Sequence, residues 1–210
     1  MARPTLKGEQ TAQACAISRV SAVTIPGMTD EERQQIISRL NGRNQVDAFE
    51  AAKAVWEDSD KQLERPLIRT LKSGQRPFNR AAAAYAMQMV STPQTIRALE
   101  SAVRNKLEHP RVRGEAAEAL AHRHRRKSHD VLLAGLRDSS KDVRFWCAFA
   151  LGEMAENRAV PALIRLVASD KRIVKGFHSV AKEAGDAIEN IQTEKTAHRR
   201  RNGCVFCVRA

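Results

Sequence analysis

Three histidines stand close together in Ala121-His122-Arg123-His124-Arg125-Arg126-Lys127-Ser128-His129. Neutral imidazole is a common metal ligand, so metal binding is the first chemistry to weigh. The interleaved Arg123, Arg125, Arg126 and Lys127 oppose a bound cation, and no carboxylate follows until Asp130. The run reads instead as a solvated basic turn, with contact to an anion or phosphate as its functional use. A second basic run, Arg199-Arg200-Arg201, precedes Cys204-Val205-Phe206-Cys207. Zinc usually needs four ligands, and no second Cys pair exists; His198 and Cys15 complete a site only if the chain ends meet. A redox Cys-x-x-Cys is expected beside a βαβ pattern, which is missing here. Glu115, Glu118 and Glu153 have the chemistry of general acids or bases, but Glu is also an ordinary exposed helix former. No Gly-rich phosphate loop and no Ser/His/Asp arrangement stands out. The expectation is therefore no catalytic residue, no metal and no cofactor.

The elements that hold these residues are helical. The chain has 210 residues, of which 42% are hydrophobic, 29% charged and only 4% aromatic, and it contains 32 alanines. Ala favours helix and close packing, and few β-branched or aromatic residues argue against an all-β fold. The net charge is +12, with an excess of two positive charges in residues 1–29 and four in 194–210. Such a balance favours acidic partners, whether nucleic acid, an acidic protein or an anionic surface. Four scattered cysteines and the lack of a continuous apolar leader make a reduced cytoplasmic setting the default. No run approaches the ~18 apolar residues of a membrane span.

A repeat organises the middle of the chain. Asn79-Arg80-Ala81-Ala82-Ala83-Ala84-Tyr85-Ala86-Met87, Val112-Arg113-Gly114-Glu115-Ala116-Ala117-Glu118-Ala119-Leu120 and Val143-Arg144-Phe145-Trp146-Cys147-Ala148-Phe149-Ala150-Leu151 align without gaps. A weaker unit precedes them at Val46-Asp47 and another follows at Val174-Lys175, so the unit starts recur 33, 33, 31 and 31 residues apart. Between them lie apolar faces spaced by three and four, such as Leu67-Ile68-Leu71 and Leu163-Ile164-Val167. Thr29 with Glu32 forms a capping box at the first helix, about 30–41. Thr92-Pro93, His109-Pro110 and Val160-Pro161 place proline at helix starts. The expectation is five helical hairpins stacked into an all-α solenoid over residues 29–193, with a flexible segment 1–28 and a basic tail 194–210.

Asp142-Val143-Arg144, Cys147-Ala148, Leu151-Gly152 and Ala159-Val160-Pro161-Ala162-Leu163 resemble HEAT repeats, and more narrowly the short PBS-lyase HEAT-like type. The resemblance is strong over about 77–168. It implies second helices lining a concave surface and a non-enzymatic scaffold that binds a partner protein there. It also brings alternatives: a basic solenoid that binds nucleic acid, or a subunit of a phycobilin-lyase-like enzyme. The iron-binding His-Glu pairs of the related deoxyhypusine hydroxylase have no counterpart; Glu108-His109 stands there in reverse order.

Helical geometry sharpens the binding reading. Counting from Asp47, Arg80, Arg113, Arg144 and Lys175, offsets −1, +3, +4 and +7 form the expected buried stripe. Offset +6 is Lys53, Ala86, Ala119, Ala150 and Ala181, and the four alanines suggest a seam for close stacking. Offsets +2, +5 and +9 point away and carry Phe49, Trp56, Tyr85, Trp146, Phe149 and Phe177, six of the nine aromatics. Glu115 and Glu118 interrupt them at the third unit, while Ala52, Ala82, Val180 and Ala184 share these positions. Exposed aromatics are favoured anchors for partners, although stripes at helical spacing are also the normal signature of packing. Arg113, Arg144 and Lys175 are expected to form a structural ladder with acids such as Asp142.

Overall fold

A computed structural model describes residues 28–58, 60–123 and 128–203. They form ten α-helices: α1 (Asp30–Leu40), α2 (Gln45–Asp58), α3 (Glu64–Ser73), α4 (Pro77–Ala86), α5 (Pro93–Arg104), α6 (Pro110–Arg123), α7 (His129–Gly135), α8 (Lys141–Glu153), α9 (Val160–Ser169) and α10 (Val180–Gly203). No strand occurs among the described residues; a single bridge joins Ile173 to Ser179. The even-numbered helices pack in series, α2 on α4, α4 on α6, α6 on α8 and α8 on α10. The odd-numbered helices α1, α3, α5 and α7 form a second layer behind them, and each hairpin closes on itself. This is the expected all-α solenoid. The expected segment 1–28 lies outside the described residues, apart from Met28.

The local signals act as their chemistry requires. Thr29 and Glu32 cap each other reciprocally, with the Thr29 N–H donating to Glu32 Oε2 at 2.7 Å and the Glu32 N–H to Thr29 Oγ1 at 3.2 Å. Thr92 caps α5, with Pro93 at the start of the helix. Small residues let the even helices approach closely. Ala86, Ala119 and Ala150 are wholly buried, as are Ala81–Ala84, Ala116, Ala117 and Ala148. A Cβ on Gly152 would stand 2.8 Å from the Ala187 backbone, so α8 and α10 meet where only hydrogen fits.

Two registers differ from expectation. The buried stripe of α2 is Ala48, Ala51, Ala52 and Val55, one residue on from the expected pattern, and Val46 is exposed. At the other end, Val174-Lys175 does not open a helix. Residues 170–179 form a loop in which Gly176 takes φ +85°, and α10 starts only at Val180. Val174 is buried, so it fills the expected core position from a loop, while Lys175 stays exposed. With this shift Ala187, not Ala181, is the seam alanine, packed against Gly152. The helix then runs past the expected 193/194 boundary to Gly203, because Glu194, Lys195, Ala197 and the arginines are good helix formers.

An ion-pair ladder fixes hairpin to hairpin. Arg80 donates to both oxygens of Glu108 at 2.8 and 2.9 Å, and also to the Gly74 carbonyl. Arg113 reaches Asp138, which Lys106 also holds at 2.6 Å. Arg144 reaches Asp170 at 2.7 Å and the Asp138 carbonyl. Each acid lies in the link between an odd helix and the next even one, and two of these arginines bind their own link as well as the one after. The expected acid, Asp142, is not in the ladder, and neither is Lys175. The first turn is tied differently: Asn79, where the other units have valine, donates to the Leu40 and Gly42 carbonyls at 2.6 and 3.0 Å.

Candidate functional site: an aromatic groove with a carboxylate floor

The even-helix face holds a groove of about 750 Å³. Phe49 of α2 and Tyr85 of α4 wall one end, with ring centroids 6.0 Å apart. Trp146 of α8 and Phe177 wall the other, 5.1 Å apart and nearly perpendicular. Glu115 and Glu118 of α6 lie between, and His109, Arg111, Asp142 and Lys175 also line the groove. The Trp146–Phe177 pair has the edge-to-face arrangement that aromatic rings prefer, and the Phe49–Tyr85 pair is tilted.

Local sequence explains each position. The Trp146 indole can approach α6 closely because position 114 is glycine; a Cβ there would stand 2.7 Å from its Cδ1. Phe145, almost wholly buried, supports both Trp146 at 5.2 Å and Phe177 at 5.4 Å. Phe177 comes from the loop before α10, not from a second helix as expected, and is 52% exposed. Phe149 packs against Trp146 at 5.7 Å, behind the groove wall. The sequence thus places Phe49, Tyr85, Trp146 and Phe177 together, with Phe149 in support. Trp56 lies on α2, but its side chain is outside the described residues. Ala52, Ala82, Val180 and Ala184, expected on the same surface, are wholly buried, because neighbouring even helices cover them.

The carboxylates were the least legible part. Glu115 and Glu118 are mostly buried, and desolvation raises Glu115 to about 8 and Glu118 to about 7. The Glu118 charge raises Glu115 further, and Arg111 opposes the rise. Arg111 lies 3.9 Å from Glu115 and stacks 4.7 Å over the Phe49 ring. The Gln88 amide beside Glu118 favours its ionised form, yet neither Gln88 polar atom has a hydrogen-bond partner. Glu153, the third acid considered, is exposed on α8 near Asn190.

The other candidates do not join this site. His122 is exposed at the end of α6, and His129 at the start of α7 pairs with Glu156. Residues 124–127 and the Arg123 side chain lie outside the described residues, as do the side chains of Arg199, Arg200 and Arg201 and the Cys204–Cys207 segment. The anion-binding expectation for Arg123, Arg125, Arg126, Lys127 and the tail arginines therefore falls there. Cys147 is buried, and its thiol is pushed up to about 12 by desolvation. No helix among the described residues is long and apolar enough to cross a membrane.

No curated protein matches the chain. Residues 105–176 match the family model for HEAT repeats, a segment that spans α6 to α9 and the ladder turns at both ends. The match covers that segment alone, and the stacked helix pairs continue on either side of it.

Proposed function

We propose that the chain is a non-enzymatic scaffold that binds a partner protein in the groove of its even-helix face. One observation carries the reading: four aromatic side chains from separate elements converge on a single groove in a chain that is only 4% aromatic. Aromatic anchors dominate binding energy in protein interfaces, and repeat scaffolds commonly bind through such faces. HEAT repeats typically mediate protein interactions. The basic ends would speed encounter without setting specificity.

The test is partner capture from native lysate with nuclease, at low and high salt, using the intact chain and two variants. Phe177→Ser removes an exposed ring from a loop; Trp146→Ala removes the central anchor. A discrete protein retained at high salt by the parent chain and lost from both variants supports the reading, provided both variants keep the parent's helical signal. Retention unchanged in both, or of nucleic acid alone with a steep loss at high salt, refutes it.

A further inference from the structure

We propose that the groove takes an arginine side chain of the partner, seated between its Tyr85 and Trp146 ends and paired with Glu118 and Glu115. The inference deepens the protein-binding reading and rests on it. It starts from a cost. Helix α6 is otherwise lined with alanine, and alanine at 115 and 118 would fold without penalty. Two carboxylates are instead desolvated three residues apart on one helix face. Buried carboxylates without full compensation oppose folding, and such groups concentrate where a ligand supplies the compensation.

The missing complement has a definite chemistry. Glu115 has Arg111 at 3.9 Å, whereas Glu118 has no ion-pair partner among the described residues. Gln88, wholly buried next to Glu118, leaves an amide donor and a carbonyl acceptor unpaired. A guanidinium offers several N–H donors, enough for both carboxylates of the groove at once. It is planar and weakly hydrated, so it stacks on aromatic faces better than an ammonium does. The protein already displays this arrangement: Arg111 lies over Phe49 and against Glu115. Tyr85 offers the same pairing of ring and acid at Glu118, whose charge it feels directly, and Trp146 lines the same groove.

The net charge of +12 does not forbid a cationic guest. Exposed charges farther away than about 8 Å are largely screened at physiological salt, so the groups lining the groove decide. Those are Glu115, Glu118 and Asp142 against Arg111, Lys175 and His109, with Glu50 and Lys53 of α2 acting on Tyr85 from the far side. Arg111 is engaged by Glu115, and Lys175 lies on the loop at the rim. A guanidinium favours the ionised carboxylates, so its binding releases protons and tightens as pH rises.

The probe is the blocked tripeptide acetyl-Ala-Arg-Ala-amide, with acetyl-Ala-citrulline-Ala-amide as its uncharged isostere. A Trp56→Phe background leaves Trp146 as the only tryptophan, read by fluorescence and calorimetry. The expected result is saturable binding of the arginine peptide, weakened about tenfold or more in the citrulline peptide and in Glu118→Gln. Affinity should rise from about pH 6 to about pH 9, the range in which Glu118 (about 7) and Glu115 (about 8) ionise, and should be nearly flat in the Glu115→Gln/Glu118→Gln double variant. Absence of saturable binding, equal binding of the two peptides, or an unchanged affinity in Glu118→Gln would overturn the proposal. Glutamine is isosteric and uncharged, so these variants keep the fold, which circular dichroism verifies. Capture of a partner that is lost in Phe177→Ser but kept in Glu118→Gln would leave the scaffold reading standing and remove the arginine.

Discussion

Replacing Glu115 with glutamine should make the protein more stable at alkaline pH and leave it nearly unchanged at acidic pH. The side chain is 16% exposed, and burial lifts its carboxyl from the ordinary 4.5 to about 8. The folded state therefore holds a proton that the unfolded chain releases once pH passes about 4.5. Stability falls wherever the native state binds more protons than the unfolded state, so it declines between about pH 4.5 and pH 8 and then levels off. At about 1.4 kcal/mol for each unit of difference, the ceiling is about 5 kcal/mol. The groove is open at its mouth, and Arg111 can shift toward the ionised carboxylate, so about 2 kcal/mol is expected. For a chain of this size that is a fall of roughly 4–8 °C in Tm. Urea denaturation at about pH 5.5 and pH 8.5 measures it. Asp138, Asp170, Glu108 and Glu156 have lowered pKa values, so their contribution is lost only on acidification and does not change across this interval. Other titrating groups are common to both proteins, so the difference between their slopes isolates Glu115. If the parent and Glu115→Gln lose stability in parallel, the carboxylate is not desolvated as described and the groove argument loses its basis.

The ladder makes a prediction of opposite character. Asp138→Asn leaves Arg113, 4% exposed, without a counter-charge and should cost about 3–5 kcal/mol in chemical denaturation, whereas Arg158→Ala, 58% exposed, should change stability by about 1 kcal/mol or less. Two glycines of the α8–α10 region should diverge in thermal unfolding. Gly152→Ala forces α10 away and should destabilise by about 1–3 kcal/mol, while Gly185→Ala meets nothing within 4 Å and should stabilise by about 0.5–1 kcal/mol. Cys147, whose thiol sits near 12, should resist maleimide in the folded Cys15→Ser/Cys204→Ser/Cys207→Ser variant and react on unfolding; rapid labelling under native conditions would contradict its burial.

Periodicity carried most of the fold because the repeat is written in residue size. The alanines at offset +6 and the small residues around them could serve only close helix stacking, and they are buried as read. The last unit misled for a physical reason. Val174-Lys175 imitates the Val-Arg start of the preceding units, and Val174 does occupy the core. The contrary signals were Gly176, which adopts a conformation that most residues avoid, and Ser179, whose hydroxyl caps the following turn by accepting from the Lys182 N–H at 3.2 Å. The aromatic end walls were legible as a face, but Phe177 arrives there by a loop. The buried state of Glu115 and Glu118 was not legible, since it depends on how closely α4 and α8 pack on either side of α6. The ladder acids were missed because the turns that carry them differ in length, so Glu108, Asp138 and Asp170 do not recur at one fixed offset.

The ladder also sets how the array comes apart. Repeat proteins behave as a line of units whose cooperativity depends on the strength of the joints between neighbours. Here the joints are unequal. From α4 onward an arginine ties each even helix to the following link through a charged pair, whereas the α1–α2 turn is held by Asn79 donating to two carbonyls, with the Arg33–Asp60 pair joining α1 to the link before α3. Under tension or progressive denaturation the N-terminal hairpin is the link that should yield first, leaving the groove's Trp146 end intact while its Phe49 wall is withdrawn. A partner seated in the groove under the proposed reading would then lose one of its two aromatic walls, well before the body of the array melts.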